Sequence, residues 1–131
     1  MPKVTDQQYA GAAAIRAALR EFDTETDRIT TKHGLTATQY ELLLLIQASP
    51  EQERTINRLC QKLARRQSAV TQLTRRAEDH GLIDRQLSKQ DARVRYLHLS
   101  DEGKQRLDNT LTALGAERTR LLDILSRIDH T

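Results

Sequence analysis

The chain has 131 residues, enough for one domain with a modest core and too few for two independent ones. Aromatics make up only 3%, Leu, Ile and Ala dominate the apolar set, and strand-forming residues gather in one short region, which points to a mainly α fold. The formal charge of +3 hides a segregation: Arg54 to His98 carries a balance of +7 and the remainder −4, as expected of a polyanion-binding segment between flanks with another task.

Cys60 is the sole cysteine, so neither an intramolecular disulfide nor a thiolate metal cluster can form. No apolar run approaches about 18 residues, and the N-terminus lacks the basic-then-apolar pattern of a signal. A cytoplasmic chain without membrane contact is expected. No Gly-rich phosphate loop, paired nucleophile and base, or carboxylate pair stands at useful spacing, so neither enzyme chemistry nor a cofactor is expected.

From Val4 to Lys32 there is no proline, and Ala12, Ile15, Leu19, Phe22, Thr26 and Ile29 step by three and four, a heptad-like stripe on a long helix. His33-Gly34 ends it, Gly34 suiting a left-handed position and His33 a cation at the helix terminus. Thr36 and Gln39 form a capping-box pattern ahead of a second helix, with Leu35 and Tyr40 placed as a hydrophobic staple. Leu42 to Ile46 is apolar nearly all round, as in a central core helix, and Ser49-Pro50 stops it. Glu51 to Arg54 reads as a short polar connection.

Thr55 caps a third helix with Ile56, Leu59, Cys60 and Leu63 inward and Arg58, Gln61 and Lys62 outward. Cys60 on that inward stripe reads as a structural thiol. Ala64 and Arg65 make a tight turn into a fourth helix, Arg66 to His80, whose Val70, Leu73, Thr74 and Ala77 repeat at i, i+3, i+4 and i+7. Its outward side chains suit nucleic acid: Arg can be bidentate to guanine, Gln to adenine, and Ser or Thr bonds base edges or phosphates. Two short helices joined this way form a helix-turn-helix, the second one reading.

Gly81 closes the reading helix. Leu82–Leu87 and Val94–Leu99 follow as two strands, with Ile83, Arg85 and Leu87 alternating against Asp84 and Gln86, and Leu97 and Leu99 against Tyr96 and His98. Ser88 to Arg93 joins them as a charged tip, a β-hairpin wing that can reach a minor groove or lie along phosphates. Ser100 caps a last helix in which Leu107, Leu111, Leu114, Leu121, Leu125 and Ile128 keep a heptad seam, Arg118 filling one seam position. The terminal stripes can pack on each other within one chain or across two.

In this order of elements the sequence resembles the MarR family of winged helix-turn-helix regulators. The residues that carry the likeness are Leu35-Thr36-Ala37-Thr38-Gln39-Tyr40, Thr55 to Leu63, Ser68-Ala69-Val70-Thr71-Gln72-Leu73 and Gly81-Leu82-Ile83. The most telling are Asp91-Ala92-Arg93 and Leu97-His98-Leu99-Ser100-Asp101-Glu102-Gly103, similar to the family's wing Asp-x-Arg and the Leu-Thr-x-x-Gly after it. The resemblance implies one domain over 1–131: dimerisation helices at 1–33 and 101–131, and a winged helix-turn-helix lobe at 35–100. It further implies a homodimer on a palindromic operator, usually repressing, often relieved by a small aromatic effector bound between the two parts. Arg93 would enter the minor groove, with Asp91 fixing it by a salt bridge. Three departures stand out. Ala64-Arg65-Arg66 replaces the usual Gly, apolar residue and capping Asp or Ser, the chain stops about one helix short, and the reactive Cys of the peroxide-sensing branch is missing.

The sites expected from this reading are Gln67, Ser68, Thr71, Gln72 and Arg75 for base edges of double-stranded DNA. Arg65, Arg66, Arg76, Lys89, Arg93 and Arg95, with Asp91, serve the backbone and minor groove. Two alternatives remain. A metal-sensing winged-helix repressor would need paired thiols or His and Asp clusters, against one Cys and scattered His33, His80, His98 and His130. A helical protein–protein interaction module would bind no duplex even at low salt.

Overall fold

A computed structural model describes residues 2–128. Six α-helices and one two-stranded hairpin follow in the order α1 (Asp6–Lys32), α2 (Ala37–Ala48), a 3-10 turn (Glu51–Glu53), α3 (Ile56–Leu63), α4 (Gln67–Asp79), β1 (Ile83–Leu87), β2 (Arg95–Leu99), α5 (Asp101–Ala113) and α6 (Gly115–Arg127). The fold is mainly α with a small β-hairpin, a winged helix-turn-helix between long terminal helices.

Local chemistry sets most boundaries. Thr36 accepts from Gln39 N–H at 3.0 Å while the Gln39 side chain accepts from Thr36 N–H at 3.0 Å, the expected capping box. An equivalent box, Thr5 with Gln8, opens α1 and was not anticipated. Thr55 and Ser100 cap α3 and α5 through the amides of Arg58 and Gly103. Gly34 and Gly81 take φ of +74° and +73°, the left-handed turns that end α1 and α4.

The core lies where α2 meets every element of the central lobe. Leu42, Leu43 and Ile46 of α2 are fully buried with Leu59 of α3, Val70 and Ala77 of α4, and Leu82. Leu97 of β2 and Leu107 of α5 close the same cluster. Cys60 packs at its margin, partly buried.

Two expectations need correction. The last helix is two helices: the ladder breaks at buried Leu114 and Gly115, and the Leu111 carbonyl accepts from the Arg118 guanidinium at 2.8 Å. A glycine and an inserted side chain are ordinary causes of such a break, so Arg118 staples a corner instead of filling a seam. In the hairpin, β1 does not alternate as expected, because Ile83 is buried while Arg85 and Leu87 project beyond the core; in β2 Leu97 is buried and Leu99 packs against the core as expected. The α1 stripe buries little, as its small apolar groups suggest: it is buried only towards its C-terminal end, at Ile29, with Ala18 and Phe22 facing Leu121 and Ile124 of α6. Tyr9, Ile15 and Leu19 stay exposed.

Among the described residues no helix is long and apolar enough to cross a membrane.

Candidate nucleic-acid interface

The turn between α3 and α4 rests on a single left-handed residue, Ala64 (φ 52°, ψ 43°), and Arg65 N–H then reaches Cys60 O at 3.2 Å. This reversal is what turns one face of α4 outward. Arg66 stands at the helix N-cap with no side-chain bond to the first turn, so that turn's amides have no side-chain acceptor. Val70, Thr74 and Ala77 bury the inner face, Leu73 being partly buried. The Thr74 hydroxyl is buried with no hydrogen-bond partner.

The outer face places Gln67, Ser68, Thr71, Gln72 and Arg75 along one open groove. All five expected base-reading residues therefore come together; Thr71 is half-buried and the others are exposed. A second groove on the α2 side is lined by Thr38, Arg65, Gln72, Arg76 and His80, so Gln72 borders both. Arg65, Arg66 and Arg76 are exposed and make no ion pair among the described residues. Thr38 and His80 were not anticipated. His80 is held by the buried Gln39, whose amide nitrogen lies 3.2 Å from its Nδ1.

The wing follows directly and is tied back to α4 by Arg85, whose guanidinium bonds Glu78 at 3.0 Å. Its tip is a network built on Ser88 and Asp91. The Ser88 hydroxyl accepts from the amides of Gln90 and Asp91, and Asp91 Oδ1 accepts from Arg93 N–H at 3.0 Å and Arg93 Nε at 3.2 Å. The Arg93 amide, then its side chain, hold the Asp91 carboxyl below the usual aspartate range. Asp91 is thus a turn residue that aims Arg93, whose side chain is 91% exposed. Lys89 and Arg95 are exposed on the same hairpin, Arg95 opposite Leu87 in the strand register.

Comparison with known proteins agrees with this arrangement. Residues 33–94 match the sequence model of the MarR family. A winged helix-turn-helix lobe with these motifs defines the class, and that lobe, a little under half of the chain, is similar to those of the MarR family. It is 28% identical over 101 residues to the HTH-type transcriptional regulator PetP of Rhodobacter capsulatus, covering 76% of this chain and 60% of that protein. The chain thus spans about 60% of the length of the curated relative it matches. Among solved structures, AbsC of Streptomyces coelicolor, a MarR family transcriptional regulator, superposes with a TM-score of 0.77 at 19% identity, over 97% of this chain and 86% of its own. S. aureus MepR, solved as a DNA complex, superposes with a TM-score of 0.67 at 23% identity, over 85% of this chain and 82% of its own. These structural likenesses speak to the fold.

Proposed function

We propose that the protein is a transcriptional regulator that binds double-stranded DNA as a homodimer, α4 reading the major groove and the wing tip reaching the minor groove. The observation that carries this is the alignment of Gln67, Ser68, Thr71, Gln72 and Arg75 in one groove, with the exposed Arg65, Arg66 and Arg76 on the same segment. Side chains with bidentate capacity at helical spacing supply sequence discrimination, and the surrounding guanidiniums supply phosphate affinity. The solved MepR complex supports the same use of the fold.

The dimer reading rests on apolar surface left uncovered at the ends. Tyr9 on α1 is 65% exposed and Leu122 on α6 68%, and Ile15 and Leu19 on α1 are exposed as well. A two-fold axis through these helices would place the two copies of α4 about 34–36 Å apart, matching an inverted repeat, and repression would follow from occupancy of such an operator. A cleft of about 550 Å³ between the terminal helices and the DNA-binding lobe, lined by Thr31, Thr36, Gln39, His80 and Arg106, is where a small effector would act. The reading gives the chain no catalytic role.

Neither alternative gains support. Among the described residues no three His, Cys, Asp or Glu side chains converge to hold a metal ion, His130 lying outside them. A protein-binding module would leave the outer face of α4 without a task. The deciding experiment is a fluorescence-anisotropy titration of random-sequence duplex at low and moderate salt. DNA binding requires tight association at low salt and a steep linear loss of log affinity with log salt concentration. No association at low salt would refute it.

A further inference from the structure

The polar connection between α2 and α3 is a structural hub. Its 3-10 turn, Glu51–Glu53, and the Arg54 that follows it meet the wing through three bonds. Leu97 N–H donates to Arg54 O at 2.9 Å, Arg54 Nη1 lies 3.4 Å from His98 Nδ1, and His98 Nε2 lies 3.1 Å from Glu51 Oε1. One tautomer serves both side-chain bonds: a proton on Nε2 donates to Glu51 while the lone pair on Nδ1 accepts from Arg54.

The chain of bonds continues into the helices. Arg54 Nε donates to Ser49 O at 2.9 Å, the Ser49 hydroxyl donates to Leu45 O, and Lys62 Nζ of α3 donates to Ser49 Oγ at 2.7 Å. Lys62 also pairs with Glu53 at 3.1 Å. His98 therefore links β2 to the ends of α2 and α3, elements that carry the reading helix.

The wing needs such a link. Its core contacts are Ile83 and Leu99 on the rung at its base and Leu97 on the middle rung, and beyond them Leu87 is 54% exposed. A two-stranded hairpin is marginal by itself, and an apolar base constrains its tilt less than directional hydrogen bonds do. His98 sits next to Leu97 and so on the opposite face of the strand, where Asp84 is its cross-strand neighbour.

We propose that His98, held by Glu51 and Arg54, is the positioning residue of the wing and sets the angle at which Arg93 meets the duplex. This deepens the DNA-binding reading and rests on it. Helix-borne contacts should depend less on His98, because α4 is seated on the core by Val70, Thr74 and Ala77.

The test is a double-mutant cycle, read by anisotropy on a labelled duplex recovered by selection from a random pool. Arg93→Ala is expected to weaken binding about tenfold in the otherwise native protein and less than about threefold beside His98→Ala. Gln72→Ala is expected to cost the same in both backgrounds, within about twofold. His98→Gln, whose amide nitrogen takes the place of Nε2, is expected to restore most of the Arg93 effect, and a shared loss of stability cannot produce that selectivity. An equal Arg93→Ala penalty with and without His98 overturns the proposal while leaving DNA binding intact. Absence of any selected duplex overturns the DNA-binding reading itself, and this proposal with it.

Discussion

A Cβ built on Gly103 would lie 2.0 Å from the carbonyl oxygen of Leu82. The first turn of α5 therefore rests directly on the backbone that leaves the reading helix. Ser100 N–H donates to that same carbonyl at 3.0 Å, and the Ser100 hydroxyl donates to Gly81 O. The glycine that ends the sequence motif after the wing is required by a backbone contact. Gly103→Ala is expected to lower stability by about 3 kcal/mol or more, because the clash is with main chain that cannot swing away. Gly115→Ala is the control: its Cβ would meet only Arg118 Nη2 at 3.7 Å. Chemical denaturation of both variants checks the contrast, and equal, small effects would contradict it.

Ala64 holds a left-handed conformation at the helix-turn-helix corner. An L-residue there costs roughly 1–2 kcal/mol that glycine avoids, offset by about 0.4–1 kcal/mol for the looser unfolded chain. Ala64→Gly is expected to raise stability by about 0.5–1 kcal/mol, read as a higher denaturant midpoint with an unchanged slope. A lower midpoint would show that the corner is built differently.

The groove along α4 and the arginine at its N-cap call for two kinds of loss. Gln72→Ala or Arg75→Ala is expected to cost about 1–3 kcal/mol on the preferred duplex and to relax preference at one base pair. Arg66→Ala should weaken all sequences alike and reduce the slope of log affinity against log salt by about one. Titrations on matched and single-mismatch duplexes at several salt concentrations separate these outcomes. Intact affinity in all three variants would remove α4 from the interface.

Asp91 gives the wing tip a pH dependence whose sign follows from its lowered pKa. The folded carboxyl loses its proton more readily than the unfolded one, so its contribution to the turn is complete above the ordinary aspartate range and disappears as pH falls through the lowered folded value. The Arg93 amide, bonded to Asp91 Oδ1, reports this directly. Its NMR shift should titrate with a midpoint below that of an ordinary aspartate, and Asp91→Asn should abolish the titration. A midpoint in the ordinary range would mean that the turn is not held by this pair.

The elements legible in the sequence are those set by neighbours a few residues apart. The Thr36–Gln39 box, the caps Thr55 and Ser100, and the apolar spacing of α4 place α2, α3, α4 and the start of α5 within a residue or two. The five residues expected on the outer face of α4 share one groove because a single helical period places them there. What escaped depends on partners far along the chain. Glu51, Arg54 and His98 lie up to 47 residues apart and carry no local signature of their hydrogen bonds. Leu114 continues the heptad spacing, and the break there shows only once Arg118 is seen bonded to Leu111 O. The Thr5–Gln8 box was within reach, since Thr5 and Gln8 repeat the spacing of Thr36 and Gln39.

The central claim is that a paired molecule offers two copies of α4 to successive turns of one duplex face. Selection of bound fragments from a random duplex pool tests it most directly, since the enriched sequence records symmetry and spacing together. The account requires an inverted repeat whose half-sites are centred about 10–10.5 base pairs apart, or a multiple of that. Recovery of no enriched sequence, or of a single half-site without symmetry, would contradict it.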